Sequence, residues 1–481
     1  MLRNRTVSRP FRLFCLVALS LAVVGGRGWV AAAQDAPGTS PRPNVLVIVS
    51  DDQGWNDIGY HNERMRTPHL DSLAAQGVRL EQFYVHPQCT PTRLSLMTGR
   101  FASRFAPRTW TWTNEQAIPE HTLTMARMLG VAGYATGMAG KWHLGSKPRW
   151  GPRQYGFDHS YGSLAGGVGV YDHRYRLSRP AYAETWHRNG TFIDEMGHRT
   201  TLVADEAVTW IEQHQGESPW FFYAPFHAPH TPMAEGNPKW WQMTRHFARG
   251  DRHLYAATLA HLDAAVGCIV DALETTGQRE ETLIVFFSDN GAVIGDYDGG
   301  SYPPPDPKLE AGYASNAPLR AGKKHVYEGG IRVPAFVNWG GTLSSDVVDA
   351  PTHVADWMPT FASLSGYDPQ GASEWNDPEW DGTDIGPLLR GERTGYAQPR
   401  RLYWVWGRGR KREAVREGAW KLIREDGSDW ELYNVAEDPR EQNDLSASRP
   451  QEVKALLDVY QQERAKYWKE GKIESGNPTN R

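Results

Sequence analysis

The chain has 481 residues, 52 Lys+Arg against 56 Asp+Glu, a formal net charge of -4 and three cysteines. That length is far beyond the ~40 residues below which a domain usually needs staples, so it can bury a large core in two or three domains or one α/β unit with an appendage. Balanced charge argues against a nucleic-acid binder, which would be strongly basic, and ordinary charged and apolar fractions exclude disordered and collagen-like chains.

Residues 1–12 carry four Arg and no acid, 13–24 are almost entirely apolar, and Ala31-Ala32-Ala33 supplies a small-residue cleavage site. This pattern predicts a signal peptide over 1–33 and a short linker over 34–42. The apolar run is shorter than the ~20 residues a membrane span requires, and no later segment reads as a span. The expectation is an exported soluble protein, periplasmic, extracellular or lumenal, with no membrane partner. Loss of the leader removes Cys15 and leaves Cys89 and Cys268, too few for a disulfide framework.

A continuous apolar run predicts a strand over 45–49. Thr67-Pro68 opens a helix with Thr as N-cap and Gly77 as its stop. A helix follows over 120–129, a strand over 136–139, a helix over 200–214 and a strand over 220–226. The apolar spacing of 252–275 predicts a helix that buries Cys268, and 283–287 is again a strand. Residues 295–318, rich in Gly, Pro and Asp, read as a loop. A catalytic domain is expected over 43–370, a linker over 371–399, and a subdomain of short strands plus a helix (450–468) over 400–481. Alternating strands and helices predict a mostly parallel sheet sandwiched by helices.

Four of these strands run into reactive residues: Asp51-Asp52, Lys141 and His143, His227 and His230, and Asp289-Asn290. Open α/β sheets bind ligands beyond the carboxyl ends of their strands, so these side chains belong to one edge. Asp51, Asp52, Asp289 and Asn290 offer oxygen only, which suits Ca²⁺ or Mg²⁺; the plainer reading is helix and turn capping. Pro91 fits a first helical turn and places Cys89 just ahead of a helix N-terminus, where N–H groups and the dipole attract anions. Arg93 could grip an oxyanion there. A cysteine hydrolase would explain Cys89 but not the oxygen-rich set.

Cys89-x-Pro91-x-Arg93 with Thr98-Gly99-Arg100 resembles the signature of the type I, formylglycine-dependent sulfatases. Companion motifs follow in the family's order: Asp51-Asp52, Gly140-Lys141-Trp142-His143, Pro229-His230-Thr231-Pro232, Asp289-Asn290-Gly291, and Lys323 ahead of Tyr327-Glu328-Gly329-Gly330. Gly156-Phe157-Asp158 and Ala355-Asp356-Trp357 look most like the arylsulfatase B (N-acetylgalactosamine 4-sulfatase) branch. The resemblance implies an alkaline-phosphatase-like α/β fold with a small C-terminal α+β subdomain, and hydrolysis of a sulfate ester of a sulfated carbohydrate. It implies that a maturation enzyme oxidises Cys89 to Cα-formylglycine, whose hydrate is the nucleophile. Asp51, Asp52, Asp289, Asn290 and the modified Cys89 would hold one Ca²⁺, with Mg²⁺ as the alternative. Arg93 and Lys141 would fix the nucleophile and the sulfate, and His143 would take a proton. His230 and Lys323 would bind sulfate and protonate the leaving alcohol, with His227 a competitor for the His230 role. Phosphate mono- or diester hydrolysis on the same scaffold is the other reading.

The segment 400–416 combines Arg400, Arg401, Arg408, Arg410, Lys411, Arg412 and Arg416 with Trp404 and Trp406. It reads either as a solvated hairpin or as a grip for a sulfated polysaccharide. Trp110, Trp112, Trp240 and Trp241 are candidates for sugar stacking.

Overall fold

Runs of β-branched and aromatic residues form the centre of the molecule. The computed structural model describes residues 42–105, 109, 111, 113–175, 183–216, 218–294, 313–368, 379–393, 399–409 and 411–470. The expected leader, Trp110, Trp112, Arg410, most of the 295–318 segment and, within 371–399, residues 371–378 and 394–398 lie outside the described residues. In chain order the strands are β1 Asn44–Asp51, β2 Val78–Leu80, β3 Phe83–Tyr84, β4 Ala135–Lys141, β5 His159–Ser163, β6 Trp186–Arg188, β7 Thr191–Phe192 and β8 Trp220–Pro229. They continue with β9 Thr282–Ser288, β10 Ala335–Trp339, β11 Asp346–Val348, β12 Thr352–His353, β13 Arg401–Trp406, β14 Arg412–Glu417, β15 Trp420–Glu425 and β16 Glu431–Asn434.

One ten-stranded sheet has the order β11-β2-β10-β9-β1-β8-β4-β5-β6-β7. Its central strands β9, β1, β8, β4 and β5 are mutually parallel, while β10 and β6 flank them in antiparallel sense. Alternation along β1 sends Val45, Val47 and Val49 to one apolar layer, with Leu94, Met97 and Trp357, and Leu46 and Ile48 to the other, with Val203, Leu259 and Val266. Both faces are therefore covered, as an apolar run without polar alternation requires.

Several boundaries differ from the sequence reading for local reasons. The helix expected from 120 begins at Met125, because the Thr124 side chain accepts the Arg127 N–H and caps it there. The Thr67 hydroxyl makes no cap bond; it donates to Asp71 Oδ1 at 3.0 Å. The carboxylate of Asp263 instead accepts the His69 and Leu70 N–H groups of that helix, Pro68–Ala75. Cys268 is exposed rather than buried: the helix Asp251–Thr275 turns Val266, Ile269 and Leu273 inward and Cys268 outward. This helix is also long and apolar enough to cross a membrane, contrary to the expectation that no later segment would be. Its apolar surface is mostly buried within the protein, which accounts for the composition.

β13 to β16 form a separate antiparallel sheet, covered by the helix Pro450–Glu470. Its core is shared with Tyr84, Phe101 and Val326 of the main body. The Trp404 indole donates to the Val85 carbonyl at 2.9 Å. Beneath it, buried Lys421 binds Glu328 at 2.8 Å and Glu441 at 2.9 Å.

Candidate active site

Parallel strands deliver their C-terminal residues to one edge. β1 ends in Asp51 and is followed by Asp52, β9 by Asp289 and Asn290, β4 ends in Lys141, and β8 carries His227 and leads to His230. Asp52 and His143 both take left-handed backbone conformations, φ 66° and 56°. Non-glycine residues hold such conformations at a cost that the surrounding structure must offset, often where function requires it.

Cys89 reaches this edge from the helix Cys89–Thr98 and is completely buried. It is the first helical residue rather than one just ahead of the helix, since extended Gln88 is the N-cap. Arg93, one turn further on, is the hub. Its Nε and Nη2 donate to Asp289 Oδ2 at 3.0 and 2.8 Å, and its Nη1 donates to the Lys141 carbonyl at 2.7 Å. Lys141 Nζ lies 2.6 Å from Asp51 Oδ2, and Lys323 Nζ 2.6 Å from Asp52 Oδ1. The Asn290 amide donates to Asp52 Oδ1 at 2.7 Å, and His230 Nε2 is 3.7 Å from Asp52 Oδ2. Arg93, Lys141, Lys323, His230, Asp51, Asp52, Asp289 and Asn290 are thus joined in one buried network, and Cys89 and His143 lie buried beside it, within electrostatic reach of Lys141.

The oxygen-rich side retains acceptor capacity. Asp51 Oδ1 and Asn290 Oδ1 are buried with no hydrogen-bond partner among the described residues. Asp51, Asp52 and His230 bring ligand atoms within 4.8 Å of one another. Buried orphan oxygens beside carboxylates fit a hard cation with oxygen ligands. Burial and Asp51 raise the Asp289 carboxyl to about 6 against the pull of Arg93 and Lys141. Burial also pushes against ionisation of Asp52, but the charge of Lys323, with hydrogen bonds from Lys323 and Asn290, outweighs it and holds the carboxyl well below the usual range.

The imidazoles are kept neutral. Burial, then Lys141 and Arg93, depress the His143 pKa, and neither ring nitrogen has a hydrogen-bond partner among the described residues. Burial likewise depresses His230 against the attraction of Asp52. His227 is differently placed: its Nε2 is 2.7 Å from Ser163 Oγ, whose own proton goes to the Ala165 carbonyl. His227 therefore donates to Ser163 and is held by β5. For Cys89, burial raises the thiol pKa against Lys141 and Lys323. A thiolate nucleophile needs the opposite shift.

The Sulfatase family profile matches residues 43–367. The chain belongs to the sulfatase family. Among relatives of this sulfatase, mouse arylsulfatase J is 31% identical over 87% of the chain and 75% of its own length. Dog N-acetylgalactosamine-6-sulfatase is 31% identical over 77% of the chain and 71% of its own length. Of solved structures, one described as Ps i-CgsB in complex with k-i-k-neocarrahexaose superposes with TM-score 0.76 at 29% identity, covering 90% of this chain and 94% of that one. The phosphonate monoester hydrolase of Agrobacterium radiobacter shares the fold, with TM-score 0.59 at 17% identity, over 89% of this chain and 96% of that one. Hydrolysis of sulfate esters is the activity these relationships support.

The C-terminal sheet of the sulfatase braces the site. Trp406 Nε1 donates to Gln88 Oε1 at 2.9 Å, beside Cys89. Arg412 donates to the Lys324 carbonyl at 2.7 Å, and Glu425 accepts the Val326 N–H at 2.8 Å. These contacts account for much of the basic segment. Arg400 binds Asp356, Arg401 binds Glu417, Arg412 also binds Asp426, and Arg416 is buried against Tyr84 and Gln82. Of its described cations, Arg401, Arg408 and Lys411 are exposed. Trp404 is core, and Trp240 is buried and stacked on His261, with ring centroids 4.8 Å apart. Neither offers an open sugar-stacking face.

Sequence reasoning missed Gly166, Arg199 and Tyr223, which belong to no motif. The Tyr223 hydroxyl accepts from Arg93 Nη1 at 3.4 Å. A Cβ added to Gly166 would lie 2.2 Å from His143 Nε2, so no side chain fits there while the imidazole stays in place. Gly166→Ala is expected to lower kcat about 10–100-fold, since displacing a reacting group by ~1 Å has that effect. Steady-state kinetics on an aryl sulfate would check this.

Proposed function

We propose that this sulfatase hydrolyses sulfate esters of carbohydrates by way of a Cα-formylglycine formed from Cys89. The carrying observation is Cys89 itself: fully buried, first in its helix, and kept protonated beside Lys141 and Lys323. A thiol held in that state is poorly prepared to attack as a thiolate, which leaves room for a different nucleophile at this position; since the folded chain buries it completely, a maturation enzyme would oxidise it before the chain folds. Hydrated, the formylglycine side chain would supply two geminal hydroxyls, one to attack sulfur and one to be deprotonated as sulfate departs.

Asp51, Asp52, Asp289 and Asn290, together with the modified Cys89, are the residues that would hold Ca²⁺ or Mg²⁺. Such a cation would supply positive charge against the sulfonyl oxygens. Arg93 fixes Asp289, and Lys141 and Lys323 bring cations to the same carboxylates, so the charge that meets the sulfate is set in place before reaction. Neutral His143 can accept a proton from the nucleophile's second hydroxyl. His230 and Lys323, both beside Asp52, would bind the sulfate, and the Lys323 ammonium is the group that carries a proton for the leaving alcohol.

A carbohydrate substrate rests on the relative named N-acetylgalactosamine-6-sulfatase and on the similar structure described with k-i-k-neocarrahexaose. Export follows from the basic, then apolar, then small-residue pattern of 1–33. The test is release of inorganic sulfate from defined sulfated oligosaccharides, alongside 4-nitrophenyl sulfate and the matching phosphate. Sulfate release from a sugar, with the phosphate turned over far more slowly, is expected. A preference for phosphate would overturn the reading. Chelation should abolish turnover, and Ca²⁺ or Mg²⁺ should restore it; activity untouched by a chelator would contradict the metal assignment.

A further inference from the structure

Arg199 is the first residue of the helix Arg199–Gln213 and is buried. Among the described residues no carboxylate lies within ion-pairing distance of it. Its guanidinium is spent on backbone carbonyls of two loops. Nη2 donates to the His230 carbonyl at 2.7 Å and to the Pro232 carbonyl at 2.9 Å, and Nη1 donates to the Val168 carbonyl. The Arg199 N–H also donates to the Val170 carbonyl at 3.0 Å. Asp51 and Glu235 attract the guanidinium only from beyond ion-pairing distance and do not offset its burial, so the carbonyl contacts are what hold it in place.

The two loops joined by this residue carry the imidazoles of the site. One turns off β8 and bears His230. The other follows β5 and covers His143: the His143 N–H donates to the Leu164 carbonyl at 3.1 Å, and Gly166 packs on the imidazole ring. Val168 is two residues further along that loop. Among the described residues, no hydrogen bond to its ring orients His143, so the packing of this loop does. The planar fork of an arginine can reach carbonyls in different directions from one fixed position, whereas a lysine ammonium is a point donor on a flexible stem.

We propose that Arg199 is a positioning residue for sulfate-ester hydrolysis, tying the His230 loop to the loop that packs on His143 so that the two imidazoles keep a fixed relation across the substrate. The inference rests on the reading above that His143 and His230 act on the substrate. Arg199 itself touches neither substrate nor reacting atoms; it acts through the backbone of the two loops.

The test is a double-mutant cycle on kcat/KM with 4-nitrophenyl sulfate, using Arg199→Met, Arg199→Lys, His230→Ala and the combined variants, with melting temperature recorded for each. Arg199→Met is expected to lose about 10–100-fold, mainly in kcat, the loss expected when a reacting group shifts by ~1 Å. Arg199→Lys should recover part of it. With His230 already removed, the same Arg199 substitution should cost much less. If Arg199→Met does not fold, the cycle with Arg199→Lys decides. Losses that multiply fully between the two positions, or that follow the folded fraction alone, would overturn the proposal while leaving His230's role intact. A His230→Ala variant with undiminished activity would instead remove the role of His230, and the proposal with it.

Discussion

Replacing Cys89 with alanine is expected to lower kcat by at least about 10,000-fold while the protein remains folded. The size of the loss follows from covalent catalysis: the other groups of the site orient and polarise the ester, but none replaces the attacking atom. The modest effect on folding follows from what Cys89 contacts. It sits at the start of a helix whose ten residues are all buried, and that helix is anchored by Arg93, Leu94 and Met97 rather than by the thiol. Cys89→Ser tests the chemistry more narrowly, since it nearly keeps the volume and puts a single hydroxyl in place of the thiol. It should be as inactive as alanine if the nucleophile must be a hydrated aldehyde. Kinetics on 4-nitrophenyl sulfate beside a urea unfolding curve would separate the two effects.

Lys421→Met is expected to destabilise the protein by about 3–5 kcal/mol, read as a fall in the urea midpoint. Lys421 is fully buried between Glu328 and Glu441. Burial raises the pKa of both acids, but Lys421, Arg332 and Arg416 together bring Glu328 down to about 2. Glu441 stands at about 7, raised by burial and lowered in part by Lys421. Removing the lysine leaves two buried carboxyls facing each other, with Tyr84 still donating to Glu328 at 2.7 Å. The cluster joins β15 to the segment containing Glu328, a few residues beyond Lys323, so turnover should fall as the C-terminal sheet loosens. Adding Glu441→Leu should recover part of the stability. No recovery would show that the loss comes from packing around the lysine stem and not from uncompensated charge.

Much of this site was legible before any coordinates because the sheet is parallel. Once 45–49, 136–139, 220–226 and 283–287 are recognised as strands of one parallel sheet, their terminal residues must share an edge. Asp51, Lys141, His230 and Asp289 meet for that reason. Cys89 was legible through its motif, though its position within the helix was displaced by a residue because Gln88, not Cys89, takes the extended N-cap conformation.

What escaped the sequence depends on long-range packing. Apolar periodicity suggested a buried Cys268, yet the rotation of the helix Asp251–Thr275 is set by its neighbours, and the thiol faces outward. Thr67 has the chemistry of a cap, but Asp263, distant in sequence, supplies the bonds. The basic run 400–416 resembled a polyanion surface because sequence does not reveal that Arg400 meets Asp356 or that Arg416 meets Tyr84. Arg199 carries no local signature, since its partners are backbone carbonyls that any sequence presents.

The central claim is that Cys89 is the precursor of the nucleophile. Mass spectrometry of the proteolytic peptide containing Cys89, taken from active enzyme produced in its native host, tests it most directly. The account predicts a peptide in which the cysteine CH₂SH has become an aldehyde, with its share of the sample rising in step with specific activity. Fully active enzyme whose Cys89 remains an unmodified thiol would contradict it.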